Sequence, residues 1–112
     1  MKEVMAIIRS REFEVIKDAL AAAEILGITV THVLGFGHQK ENTQIYREHE
    51  ITSHLLRKIM LEIVTTDEKV EEVIDIIVNT ARTGQVGDGR IFVHNINEVV
   101  SISTGEQGER AV

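Results

Sequence analysis

Thr83-Gly84-Gln85-Val86-Gly87-Asp88-Gly89-Arg90-Ile91-Phe92-Val93 closes one helical pattern and opens a strand through a turn punctuated by three glycines. Glycine admits positive φ and lets the backbone approach another group closely. Successive N–H groups in such a turn form a concavity that can hold an anion, and Arg90 adds a fixed positive charge suited to phosphate. The same residues also serve a plainer purpose, in which Gly84 ends a helix and Gly87-Asp88-Gly89 turns the chain into the strand Arg90 to Ile96. Spacing alone leaves both readings open, because short glycine motifs are weak signals.

Upstream of the turn lies the clearest helix of the chain. Val70, Val73, Ile74, Ile77 and Ala81 fall at spacings of three and four and form one apolar stripe. Thr65-Thr66-Asp67-Glu68 fits the capping-box pattern at its start, and Asp67, Glu68, Glu71 and Glu72 load the positive end of its dipole as a solvated face. Before it, Ile59 to Val64 alternates as a strand. The N-terminal half repeats the order. Residues 2–9 read as a strand, Ser10 as a cap, and Phe13, Ile16, Leu20 and Ala23 as one helical face stopped by Gly27. Ile28 to Leu34 then alternates again, with Ile28, Val30, His32 and Leu34 on one side.

Between the halves, from Gly35 to about Arg57, periodicity vanishes. So long a polar segment in a small domain is usually functional, and Thr52 to Lys58 is too short for an independent helix. The order β-α-β-β-α-β predicts an α+β, ferredoxin-like sandwich: an antiparallel sheet with both helices on one face. Met5, Ile7, Val33, Met60, Val64, Ile91 and Val93 are assigned to the other face, an apolar surface large enough to imply self-association. Val99 to Ser103 could add a short strand, and Thr104 to Val112 reads as a polar tail.

Composition narrows the class. The 112 residues suit one domain, and 43% hydrophobic content with only 4% aromatic implies an aliphatic core. No apolar run reaches 18 residues and the N-terminus lacks a signal-peptide pattern, so a soluble cytoplasmic protein is the expectation. Zero cysteines exclude disulfides and thiolate metal sites. A net charge of −6 without a basic stripe argues against nucleic acid as a partner. His38, His49 and His54 share the long loop without the spacing of a structural metal site, and His32 and His94 read as ordinary strand residues.

The motif Thr83…Gly87-Asp88-Gly89-Arg90-Ile91-Phe92-Val93 resembles the C-terminal signature of the nitrogen regulatory protein P-II family. Met1 to Arg9, Gly35-Phe36-Gly37-His38-Gln39-Lys40, Ala81-Arg82-Thr83-Gly84 and Thr104-Gly105-Glu106 follow in the family's order, so the likeness covers essentially residues 1–112 as a single domain with a long loop at about 37–57. It implies a homotrimer that binds ATP or ADP in clefts between subunits. One side of the cleft would comprise Ile7, Gly35, Phe36, Gly37, His38, Gln39, Lys58, Val64, Gly87, Asp88, Gly89 and Arg90. Gly27, Ile28, Thr29 and Glu62 would come from the neighbour. Gln39 would help hold Mg²⁺ and 2-oxoglutarate, with Lys58 on the oxoglutarate carboxylate.

Three departures stand against that pattern. Ser101 and Ser103 replace two phosphate-gripping arginines, and His38 replaces a third. In Tyr46-Arg47-Glu48-His49-Glu50-Ile51 the usual uridylylation acceptor is Ile51, and the position phosphorylated in cyanobacterial relatives is His49. The resemblance implies a non-enzymatic signal transducer whose loop 37–57 engages a target transporter or enzyme in nitrogen metabolism, reaching a membrane only through a transporter. An ADP- or AMP-responsive sensor acting on a non-ammonium transporter, an interaction module without nucleotide, and slow nucleotide hydrolysis are the alternatives. No Walker loop or Ser-His-Asp order supports the last.

Overall fold

Strand pairing at Lys2 and at Ile28 begins where the alternation predicts it. The computed structural model of the chain describes residues 1–36 and 55–112. Its elements are β1 (Lys2–Arg9), α1 (Phe13–Ala22), β2 (Ile28–Phe36), β3 (Leu55–Thr65), α2 (Val70–Ala81) and β4 (Gly89–Asn95). They form one antiparallel four-stranded sheet in the order β2-β3-β1-β4. This is the α+β, ferredoxin-like architecture expected from the two β-α-β halves. Among the described residues no helix is long and apolar enough to cross a membrane.

Period two along the strands decides which side chains meet the helices. Val4, Ala6 and Ile8 of β1 stand opposite Ile63, Leu61 and Ile59 of β3. All six are buried, together with Ile16 and Leu20 of α1 and Val73 and Ile77 of α2. Met5, Ile7, Met60 and Val64 lie on the opposite face and are only half-buried. Ile91 and Val93 do not join them. The β4 register sets them opposite Ala6 and Val4, on the helix side, and gives the open face to Arg90, Phe92 and His94.

Helix ends depart from the sequence reading in each case, and local hydrogen bonding supplies the reason. Ser10 starts a 3₁₀ turn (Ser10–Glu12) and accepts no capping bond; its hydroxyl donates to the Arg57 carbonyl at 3.4 Å. Thr66 likewise leads into a 3₁₀ turn (Asp67–Lys69) without a side-chain cap, so backbone turns replace the capping box. The first helix stops before Gly27. Glu24 takes the left-handed conformation (φ 61°), and the Glu24 and Ile25 N–H groups bond to Ala21 O and Leu20 O at 2.9 Å each. That is the Schellman pattern, closed by the buried pair Ile25 and Leu20. Replacing Glu24 by glycine, which takes this φ without steric cost, is expected to raise the unfolding free energy by about 0.5–1 kcal/mol in urea denaturation.

α2 ends where Arg82 turns extended, leaving Gly84 (φ 86°) inside the following turn. β3 begins earlier than expected: Phe36, Gly35 and Leu34 pair with Leu55, Leu56 and Arg57. Residues 55–57 therefore belong to a strand and not to the long loop. The proposed extra strand shrinks to one bridge, Val100 with Gln107, around a turn in which Gly105 N–H reaches Ser101 O at 2.8 Å. Gly37, His38, Gln39, Tyr46, His49, Ile51 and His54 lie outside the described residues.

Candidate functional site

Residues 82–90 carry the chain from the end of α2 to the edge strand β4, and Asp88 organises them. Its carboxylate accepts from the Thr83 hydroxyl at 2.5 Å, the Thr83 N–H at 2.7 Å and the Gly84 N–H at 2.9 Å. Arg9, at the end of β1, supplies the fourth donor through Nη1 at 2.5 Å. The Thr83 hydroxyl above all, then its N–H, Arg9 and the Gly84 N–H, hold the Asp88 carboxyl well below the usual carboxylate range. The second Arg9 nitrogen, Nη2, donates to Val86 O at 2.9 Å. Lys58, largely buried, donates from Nζ to Gly87 O at 3.1 Å. Arg9 and Lys58 are directly opposed across β1 and β3. Like charges so placed repel, and here each meets its own oxygen acceptor in the turn.

Gly89 then enters the sheet at φ 113°, opposite Ile8. A Cβ at this position would lie 1.9 Å from the Ile7 carbonyl oxygen. Gly35 fits against the Lys58 stem, where a Cβ would sit 3.2 Å from Cγ. Gly89 is thus demanded by close approach as well as by its positive φ, whereas at Gly35 the neighbour is a lysine side chain. Beside the turn a cavity of about 360 Å³ runs between α2 and β4, lined by Ile74, Ile77, Val78, Ala81, Ile91 and Val93 together with charged Arg82, Asp88 and Arg90.

The register divides the sequence-predicted site residues into two groups. Ile7 stands opposite Arg90 and Met60, and Lys58, Gly35, Phe36 and Gly87 to Gly89 lie at the same end of the sheet. Thr29 faces Glu62 across β2 and β3, and Ile28 faces Ile63, toward the other end. Gly27 and Val64 border a second cavity there, with Thr66, Lys69 and the C-terminal residues Ala111 and Val112. Val64 therefore stands with the second group and not beside Lys58. Lys58 and Val64 are six positions apart on β3, about 20 Å, whereas Ile7 and Arg90 are only two positions along the strands from Thr29 and Glu62. Ser101 and Ser103 lie in the turn that follows, with their hydroxyl oxygens 3.2 Å apart.

Two participants escape sequence reasoning. Arg9 reads as the last residue of a strand, and only the antiparallel register brings it to the turn 79 residues later. Thr83 stands in the glycine motif, yet its bond to Asp88 depends on how the turn closes. His94 contacts Glu3 at 3.2 Å on the open face; among the described residues no cluster of three metal-ligating side chains exists.

The class defined by this arrangement is a ferredoxin-like domain with a glycine turn fixed by basic side chains at the end of the sheet where residues 37–54 connect β2 to β3. The nitrogen regulatory protein P-II family profile matches residues 1–106. A nitrogen regulatory protein P-II of Pasteurella multocida is 44% identical over 112 residues, covering the whole of both chains. P-II 2 of Methanothermobacter thermautotrophicus is 48% identical over all of this chain and 97% of its own. P-II 1 of Escherichia coli is 43% identical over the full length of both. The chain belongs to the nitrogen regulatory protein P-II family, whose members are regulators.

Proposed function

We propose that this P-II signal-transduction protein binds an adenine nucleotide, ATP or ADP, between the protomers of a cytoplasmic homotrimer. Occupancy there sets whether the segment 37–54 engages a transporter or enzyme of nitrogen metabolism. The observation that carries this reading is the spread of the assigned residues along the sheet, from Gly35 and Lys58 at one end to Ile28 and Val64 at the other, with Lys58 and Val64 about 20 Å apart. Neither group alone surrounds a nucleotide, whereas one protomer's Gly87-Asp88-Gly89-Arg90 end joined to a neighbour's Gly27-Ile28-Thr29 and Glu62 end encloses phosphates and base together. The open sheet face, with Met5, Ile7, Met60, Val64 and Phe92, supplies apolar surface for assembly.

The polar half fits an anion by its donor chemistry. Arg90 is an exposed cation at the head of β4, and the turn before it offers main-chain N–H groups. Lys58 would hold the carboxylate of 2-oxoglutarate, which must then compete with Gly87 O for the same ammonium. Gln39 and His38 complete the assignment, with Gln39 toward Mg²⁺. Regulation requires only that ligand bind two loop states with different affinity, and no catalytic step is assigned. Ser101 and Ser103 carry no charge where relatives are expected to carry arginine. Each lost charge-assisted bond is worth about 1.5–3 kcal/mol, so ATP is not expected to outrank ADP.

A thermal-shift panel of ATP, ADP, AMP and 2-oxoglutarate with Mg²⁺ tests the proposal, since a ligand specific to the folded assembly raises its melting point. ADP and ATP are expected to raise it with rising concentration. A flat response to every nucleotide would leave an interaction module in its place.

A further inference from the structure

Two consecutive carbonyls of the glycine turn face cations of the sheet. Val86 O accepts from Arg9 Nη2 at 2.9 Å and Gly87 O from Lys58 Nζ at 3.1 Å. In a trans peptide the carbonyl of one residue and the N–H of the next point in opposite directions. Holding these two oxygens toward the sheet therefore turns the Gly87 and Asp88 N–H groups away from it. Asp88 N–H meets Gln85 O at 3.4 Å; among the described residues the Gly87 N–H has no acceptor. Glycine at 87 (φ 103°) leaves this peptide free to rotate unless something restrains it.

Arg9 is built to restrain it. Its side chain is 11% exposed, and one planar guanidinium spans the Asp88 carboxylate and the Val86 carbonyl at once. Thr83 pulls on the same carboxylate through its hydroxyl and N–H. A lysine could satisfy one of the two Arg9 acceptors but lacks the fork that takes both.

We propose that Arg9 is a positioning residue for a polyphosphate site at residues 87–89: it fixes the Val86–Gly87 peptide and the Asp88 carboxylate from behind, so that main-chain N–H groups are presented to the anion. The proposal rests on the nucleotide reading above and extends it to a residue that touches no ligand. Arg9 works through Asp88, and so does Thr83. Losing either is expected to disorder the same amides.

The test is titration calorimetry of the full chain with ADP and with adenosine, for wild type, Arg9→Lys, Arg9→Gln, Thr83→Val and the Arg9→Gln/Thr83→Val pair. Amide spectra of Gly87 without ligand accompany it. Arg9→Gln is expected to weaken ADP by at least about tenfold while adenosine, which has no phosphate, binds as in wild type. Arg9→Lys should recover part of the loss. The double variant should lose less than the two single losses combined, since both act on one carboxylate. The Gly87 amide resonance should move in both Arg9 variants before any ligand is added, a change that general destabilisation does not produce at one residue. Should Arg9→Gln fail to fold, Arg9→Lys carries the same two readouts at smaller amplitude. Wild-type affinity for ADP in the Arg9 variants, or losses that simply add, would overturn the inference and leave the nucleotide reading intact. Absence of ADP binding by the wild type would overturn both.

Discussion

Gly89→Ala is expected to unfold this protein more readily than any other single-methyl addition to the turn. The added Cβ would lie 1.9 Å from Ile7 O and 3.0 Å from Ile7 C, which are main-chain atoms of the adjacent strand and cannot swing aside. The φ of 113° is also forbidden to an alanine. Relief requires β4 to lift from β1 at the Ile8–Gly89 pair, giving up ladder hydrogen bonds as well as the strained conformation. The combined cost is about 3–5 kcal/mol. Gly84→Ala serves as the internal comparison. It shares a positive φ (86°) but meets nothing within 4 Å, so its cost is the conformational part alone, about 1–2 kcal/mol. Urea midpoints of the two variants check the difference; equal losses would mean that the close approach at Ile7 does not constrain the turn.

The second large effect appears when damaged protomers are mixed. Arg90→Ala removes the phosphate cation from one end of the sheet, and Thr29→Trp fills the other end on an exposed edge-strand position. Each variant alone is expected to bind no nucleotide at concentrations that saturate wild type, because every site then contains one damaged half. Coexpressed in equal amounts, the two should regain about a quarter of the wild-type sites, the fraction in which an intact half from one protomer meets an intact half from the next. No recovery in verified mixed assemblies would mean that both halves of a site come from the same chain.

Periodicity made most of the architecture readable. Val4, Ala6 and Ile8, and the stripe Val70, Val73, Ile77 and Ala81, are buried as their spacing requires, since amphipathic patterns express the same burial that drives folding. What periodicity cannot supply is absolute register. Ile91 and Val93 alternate correctly with Phe92, but only pairing with Val4 and Ala6 decides which set faces the helices. Val64 illustrates the same limit at the site: alternation gives its face, and only the length of β3 gives its distance from Lys58. Helix ends depart from the sequence signals because serine, threonine and glycine caps compete with backbone turns. At Glu24 the chain accepts a left-handed glutamate to bring Ile25 into the core. The glycine turn was visible as a motif, but its supports, Arg9 and Thr83, become apparent only once strands distant in sequence lie side by side.

The separation of the two groups along the sheet makes any contact that joins them one between unlike surfaces. Such a union is head-to-tail, and it either closes into a ring or runs on as a filament. In a closed ring of three each chain lends one half to the neighbour ahead and the other to the neighbour behind. The number of ligands then equals the number of chains, and every chain is touched by two ligands at once. The connection between β2 and β3 leaves the sheet at the Phe36–Leu55 end, beside Lys58 and away from Ile28 and Thr29, so in such a ring it would stand next to one of those two ligands and far from the other.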